Sequence, residues 1–519
     1  MDIRWFLHKK TSPALHPPSD DSRLTEDMTA NINEVMAAFS YPDNIALTVR
    51  EVYIPFCSRE GALLFVEGAA DIKKLEERVL GPLMAQTGMK PAPEQRILSE
   101  LQKKVITASA GKKVRQLSEI IHDLLHGYTI LVVQGESEAL SLETPGFESR
   151  AVTEPEIENV LKGPKEAFIE SAAANRSLIR KLLKDSQLMT EVITIGEKSN
   201  RDVYVLYIKD IADPVLVQKV KDKLSGVKSD LAQSLSILEQ FIEERSYSLI
   251  PTALLTERPD RTCAFLREGH VVLLMDNSPM ALIAPVTFWS LFQTSEDMHL
   301  RWAYGNFIRL VRLVAIFVAL MTPSVYLAVS TYHEEMLPTD LLLAIAATRE
   351  RVPFPAFVEV FLMELSFELV REAGIRIPKA IGPTVGIVGA LILGQAAVEA
   401  NIISPILVII VAITGLSSFA VPEVSFNFAV RIMRFFMLVT ANFMGVFGIA
   451  IVLTGMITYM ASFKSFGVPF LSPLSPHYGS SKDMIARPPV WKQWVRPLNL
   501  HPLDRVRSRS KQRKGGHKR

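Results

Sequence analysis

Cysteine is almost missing from this chain: 519 residues contain two, Cys57 and Cys263, in no CxxC or Cys/His grouping, which excludes zinc-ribbon and dithiol motifs. Both are expected to be reduced core residues. The ten histidines do not cluster. No P-loop, dinucleotide fingerprint, metalloprotease helix or hydrolase elbow occurs in a supporting context. The expectation is therefore a non-enzyme with no catalytic, cofactor or metal site. The opening MDIRWFLHKKTSPALHPPSDD has only a very short apolar run broken by charge, so it is not expected to act as a secretory signal peptide. Residues 1–30 are expected to be disordered and the N-terminal half to stay in the cytoplasm.

What is abundant is apolar character, 48% of residues with a mean hydropathy of +0.20, which is high for a purely soluble protein. The formal charge of +2 hides an asymmetry: His477 to Arg519 contains twelve Lys/Arg against two Asp, so this end carries +10 and the rest of the chain −8. A basic end could bind nucleic acid, but nothing upstream reads as a nucleic-acid fold. Directly after hydrophobic spans it marks the cytoplasmic side and an anionic lipid surface.

Up to about Ser290 the pattern is soluble α/β, with β-branched runs such as VYVLYI (Val203 to Ile208) and HVVLLM (His270 to Met275) among charged helical stretches. Two segments recur at one offset of 142 residues. LLFVEGAAD (Leu63 to Asp71) lies over VLYIKDIAD (Val205 to Asp213), matching Asp71 to Asp213. HGYTILVVQGESEAL (His126 to Leu140) lies over EGHVVLLMDNSPMAL (Glu268 to Leu282), matching Gly127 to Gly269. A shared offset argues for duplication, with one lobe over residues 31–165 and its repeat over 166–295. QGES (Gln134 to Ser137) and DNSP (Asp276 to Pro279) read as hairpin turns rather than ligand loops.

Beyond residue 301 the texture changes to that of a membrane domain, expected over 301–465, with a basic tail over 466–519. Leu313 to Tyr332 gives twenty uncharged residues, enough to cross ~30 Å of hydrocarbon at ~1.5 Å per residue. Ile381 to Ala400, Ile402 to Val421 and Phe435 to Phe463 are three further candidate spans. Arg301, Arg309 and Arg312 before the first span place the preceding domain on the cytoplasmic side. Four spans would bring both termini to that side. Gly382 and Gly386 form GxxxG, with Gly389 and Gly394 beyond, a spacing that lets helices approach closely. The expected class is thus α+β: duplicated soluble α/β lobes followed by a polytopic helical membrane domain.

One helix there is conspicuously charged. Over residues 355–374, Glu364, Glu368, Arg371 and Glu372 fall at i, i+4, i+7 and i+8 on one face, opposite Phe361, Leu365 and Leu369. Two readings stay open. Either the helix lies along the lipid interface with a weak Glu368–Arg371 pair, or its acidic face, repeated around an oligomer, lines a cation-attracting vestibule. Glu399, at the end of an apolar span, either marks the interface or points into a polar pathway.

Arg351 to Glu423 resembles the signature region of the A subunit of GerA-type spore germination receptors. VPFPA, REAGIRIP, IGPTVGIVGALILGQAAVEA and the later RPP (Arg487 to Pro489) occur in that family's order. The resemblance covers roughly Asn31 to Pro489. It implies a multi-pass protein of the spore inner membrane that works beside a transporter-like nutrient-binding B subunit and a lipoprotein C subunit, forms a homo-oligomer, and conducts the monovalent cations released on germination. The alternative is a non-conducting scaffold that assembles those partners. The strongly basic end after RPP departs from the family.

Overall fold

The structure, a computed structural model, describes residues 23–85, 97–108, 111–147, 154–376, 394–478 and 483–507. The chain divides into two compact units. One comprises Met1–Glu244, Ala253–Pro285 and Gln493–Arg519; the other comprises Arg245–Thr252 and Val286–Lys492.

The first unit holds two five-stranded antiparallel sheets. β1 (Leu47–Ile54), β2 (Arg59–Val66), β3 (Gly111–Val114), β4 (Thr129–Val133) and β5 (Ala139–Leu142) are ordered β1-β2-β4-β5-β3. β6 (Leu188–Ile195), β7 (Arg201–Ile208), β8 (Leu254–Thr256), β9 (Val271–Met275) and β10 (Ala281–Ala284) are ordered β6-β7-β9-β10-β8. The inner pairing has the same register at the offset of 142: Gly61 faces Val133 as Val203 faces Met275, and Leu64 faces Ile130 as Leu206 faces Val272.

Central strands of the first sheet are apolar on both sides because both sides are covered. Leu64, Ile130 and Val132 join helix α1 (Met28–Ala38) and helix α2 (Leu117–Leu125) in one core. Their neighbours Leu63, Leu131 and Val133 point the other way, into a core with Leu80, Leu83 and Leu101. The period-2 alternation of a strand separates the two sets, and each such side chain contributes about 2 kcal/mol on burial.

The residues that match at the offset have local reasons to be there. Gly127 and Gly269 hold φ of +86° and +101°. A Cβ on Gly127 would sit 2.4 Å from the Ala69 carbonyl oxygen. Asp71 caps the short helix Ile72–Leu75 by accepting from the Lys74 amide. Asp213 likewise caps helix α4 (Pro214–Ser225) through the Val215 amide, and helix α3 (Ala172–Leu182) precedes it. In the QGES and DNSP turns, Gly135 and Asn277 both take positive φ.

The two sheets are tied across their junction. The Ile45 amide donates to the Thr190 carbonyl at 3.1 Å, Asn44 accepts from the Thr190 amide at 3.2 Å and donates to the Leu188 carbonyl, and Ser177 donates to the Gly68 carbonyl. Helix α5 (Pro259–Leu266) packs Cys263 into the interior, where burial pushes its thiol up to about 12; Cys57 is half-buried and also free. His270 is buried beside Phe265, with Nδ1 3.1 Å from the Phe265 carbonyl oxygen. Desolvation lowers its pKa to about 4.

The stretch expected as a basic tail from 466 is divided. Residues 464–469 form a two-stranded ribbon in the second unit. Residues 493–507 belong to the first, where Arg496 pairs with Asp504 at 2.7 Å and donates to the Arg267 carbonyl, and the Leu503 amide reaches the Ile211 carbonyl. The basic end beyond 507 lies outside the described residues.

In the second unit, helix α6 (Trp302–Tyr332), helix α7 (Thr339–Arg349), helix α8 (Ala356–Arg376), helix α9 (Pro405–Ser418) and helix α10 (Val424–Ser462) carry the apolar half of the chain. α6 and α10 are long and apolar enough to cross a membrane. α9 has 14 residues, about 21 Å at the α-helical rise, short of ~30 Å of hydrocarbon. Most of the candidate span 381–400 lies outside the described residues. α10 is interrupted at Gly445 (φ 58°, ψ −139°), and a Cβ there would meet Tyr332 and His333 at the end of α6. Tyr332 donates to the Asn442 carbonyl at 2.5 Å, so the break sits where the two long helices pack.

Candidate functional site: a buried ion network

Helix α8 is inside out by the standard of a soluble helix. Leu362, Leu365 and Leu369 are exposed, at 39%, 40% and 62%, while Glu364 is 1% exposed. An apolar surroundings for that outer face removes the conflict, since charged groups in a membrane turn toward the protein interior and pair.

The pairs come from α10. Arg434 Nη2 lies 3.0 Å from Glu364 Oε2 and 2.7 Å from Glu368 Oε1. Arg431 Nε donates to Glu368 Oε1 at 3.0 Å, and its Nη2 reaches the other oxygen of the same carboxylate. Arg371 stands 3.6 Å from Glu368, one turn along α8, and donates to Ser418 Oγ of α9 at 2.6 Å. The guanidinium of Arg371 lies over the rings of Phe367 and Phe419, and that of Arg431 over Phe428. Two arginines at i and i+3 on α10 therefore meet two glutamates at i and i+4 on α8, and Arg371 links the set to α9.

Of the residues expected on a polar face, the structure brings together Glu364, Glu368 and Arg371. Glu372 is exposed. Glu399 is exposed elsewhere and accepts from Gln395 at 2.9 Å. Gly394 is buried, with room for a Cβ 3.8 Å from Val408 of α9. Gly382, Gly386 and Gly389 lie outside the described residues.

Arg431 and Arg434 were not among the expected site residues, although arginines at i, i+3 entering an apolar helix are a signal that buried partners are needed. Glu359, also on α8, is a second such case. It is 1% exposed and accepts from the Ser404 amide at the start of α9 at 2.5 Å.

A separate network lies at the base of α6. Asp297 is fully buried and holds Arg309 Nε at 2.9 Å and Arg312 Nη1 at 2.9 Å. Arg309 also pairs with Asp483. Arg487, the first residue of RPP, is clamped there: Trp302 Nε1 donates to its carbonyl at 2.7 Å, and its amide donates to Asn306 Oδ1 at 2.6 Å. Arg309 and Arg312 thus have a structural task that their position before an apolar span does not reveal.

The chain as a whole was compared with known proteins. The family model described as "Bacillus/Clostridium GerA spore germination protein" matches residues 33–499. Spore germination protein KA of Bacillus subtilis (strain 168) is 36% identical over 453 residues, 87% of this chain and 83% of that protein. Spore germination protein GerLA of Bacillus cereus is 34% identical, covering 90% and 94%. The uncharacterized membrane protein YfkQ of Bacillus subtilis (strain 168) is 37% identical, covering 84% and 85%. Among solved structures, the N-terminal domain of the A subunit of the Bacillus megaterium spore germinant receptor GerK3 aligns with a TM-score of 0.40 at 24% identity, covering 51% of this chain and 98% of that one.

Proposed function

The chain belongs to the GerA family of spore germination proteins, and from that premise we propose that it is the membrane subunit of a nutrient-sensing germination receptor and its oligomeric, cation-conducting component. On this reading it is a multi-pass protein of the spore inner membrane with its sheet-bearing unit and C-terminus in the cytoplasm. It assembles with a transporter-like nutrient-binding B subunit and a lipoprotein C subunit. The two sheets, equal in order and inner register, are a duplicated module that serves assembly and transmits gating.

The observation that carries the proposal is the ion network of α8 and α10. Buried charges within an apolar domain are expensive and are kept where they work. Glu364 and Glu368 hold α8 to α10 through Arg431 and Arg434, and Glu372 and Glu399 supply exposed carboxylates on the same domain. A ring of such carboxylates in an oligomer raises the local cation concentration.

The test is neutralisation of Glu364, Glu368 and Glu372 together as Gln in spores. Stranding Arg434 and Arg431 lowers membrane abundance, so potassium release on germinant addition is read per membrane-resident protein, and that ratio is expected to fall while partner subunits are still recruited. A normal ratio would end the conduction reading and leave the scaffold reading, in which the same residues only brace the fold; ion flux through the purified full chain in liposomes separates the two directly.

A further inference from the structure

Helix α2 ends on two histidines. His122 lies in its last turn and His126 follows as its C-cap, so the two imidazoles stand at i and i+4 on one face. They stack, with ring centroids 4.1 Å apart and planes 27° from parallel. His122 is exposed and His126 is half-buried, which leaves the pair open to solvent.

Each ring has one nitrogen committed to an oxygen. His126 Nδ1 stands 2.7 Å from the His122 carbonyl oxygen; a carbonyl only accepts, so Nδ1 carries the proton and, in the neutral ring, Nε2 holds the lone pair. His122 Nδ1 stands 3.3 Å from Asp123 Oδ1. Asp123 is buried and its other oxygen meets Lys112 Nζ at 3.0 Å, so it is a carboxylate and the proton is again on Nδ1. Both Nε2 atoms are therefore free donors on rings that an oxygen holds from behind, which is how metal-binding histidines are oriented. The carbonyl end of α2 adds negative potential at the same turn.

Among the described residues no third histidine, cysteine or carboxylate completes a group around the pair, so water would fill the remaining positions of a bound ion. Bonds of about 2.0 Å to a tetrahedral ion set two nitrogens about 3.4 Å apart, a short step for two stacked rings of which one is exposed. We infer that His122 and His126 form a two-histidine site for a transition-metal dication of the zinc(II) class. Imidazole selects that class over magnesium and calcium, which take oxygen ligands. The site lies in the sheet-bearing unit and does not rest on the conduction reading.

The full-length protein in detergent, stripped of metal with a chelator, supplies the test. It is titrated with zinc(II) and treated with diethyl pyrocarbonate, which modifies unprotonated imidazole nitrogens, and mass spectrometry reads each histidine separately. Zinc(II) is expected to protect His122 and His126 with one shared midpoint, while the exposed His299 and His501 stay reactive and magnesium protects none of them. In His122→Gln the chelate is lost, so the zinc(II) midpoint at His126 should rise about a hundred-fold; His126→Asn should do the same to His122. The buried His270, unreactive in the parent, reports whether each variant is folded. Protection of one histidine without the other, equal protection by magnesium, or a His126 midpoint unmoved by His122→Gln would overturn the assignment.

Discussion

Arg434 is the residue on which the α8–α10 contact depends, and its removal has a calculable consequence. It is 1% exposed, and one nitrogen serves both Glu364 and Glu368. In Arg434→Met, Glu368 retains Arg431 and Arg371, but Glu364 keeps no ion-pair partner among the described residues. Stranding one member of a buried pair costs about 3–5 kcal/mol, and that is the expected loss. Glu364→Gln should cost less, because Arg434 still pairs with Glu368. The double variant Glu364→Gln/Arg434→Met removes the stranded charge, so its loss should fall short of the summed single losses by about 2 kcal/mol or more. Thermal unfolding of the four full-length proteins in one detergent, together with their membrane abundance, reads this out. Additive losses, or an Arg434→Met protein as stable as the parent, would refute the reasoning.

Two further predictions concern the sheet-bearing unit. His270 has a folded pKa near 4 against an ordinary 6.5, so the folded state binds fewer protons between those values. Its contribution is fully present above the unfolded pKa and is lost as pH falls toward the folded one, with about 2 kcal/mol disappearing between about pH 7 and about pH 5. Hydrogen exchange of the β9 amides in the full chain should accelerate over that range, and unchanged protection would count against a buried neutral imidazole. Gly127→Ala should destabilise the same unit by at least about 2 kcal/mol, because φ is +86° and the added Cβ meets a carbonyl oxygen. Gly226→Ala, at φ −77° with only ordinary contacts, should be neutral or slightly stabilising; equal midpoints for the two variants would contradict the role given to Gly127.

The parts of the fold that were legible in the sequence are those set by local backbone and by apolar length. Gly127 and Gly269 can be matched because positive φ excludes most side chains, and Asp71 and Asp213 because each caps a helix that starts beside it. The charged helix expected over 355–374 is observed over Ala356–Arg376, since its period lies within its own turns. The apolar runs from Leu313 and Phe435 fall inside helices long enough to span a membrane for the same reason. The length of α9 was not legible, because Ile402 to Val421 is uncharged throughout and its helix is bounded by Pro405 and by the turn after Ser418.

Partner choice is a different kind of information. Glu364 and Glu368 are 63 to 70 residues from Arg431 and Arg434, and Arg309 is 174 residues from Asp483. Periodicity places charges on a face but carries nothing about which face of which helix comes opposite, so the same glutamates read equally as an interfacial stripe, a vestibule or a brace. Sequence by itself therefore determined the local conformations and the division into sheet-bearing and apolar parts. Only the tertiary structure decided which charges neutralise one another, because a Coulomb interaction depends on distance through space and on the burial that assembly creates.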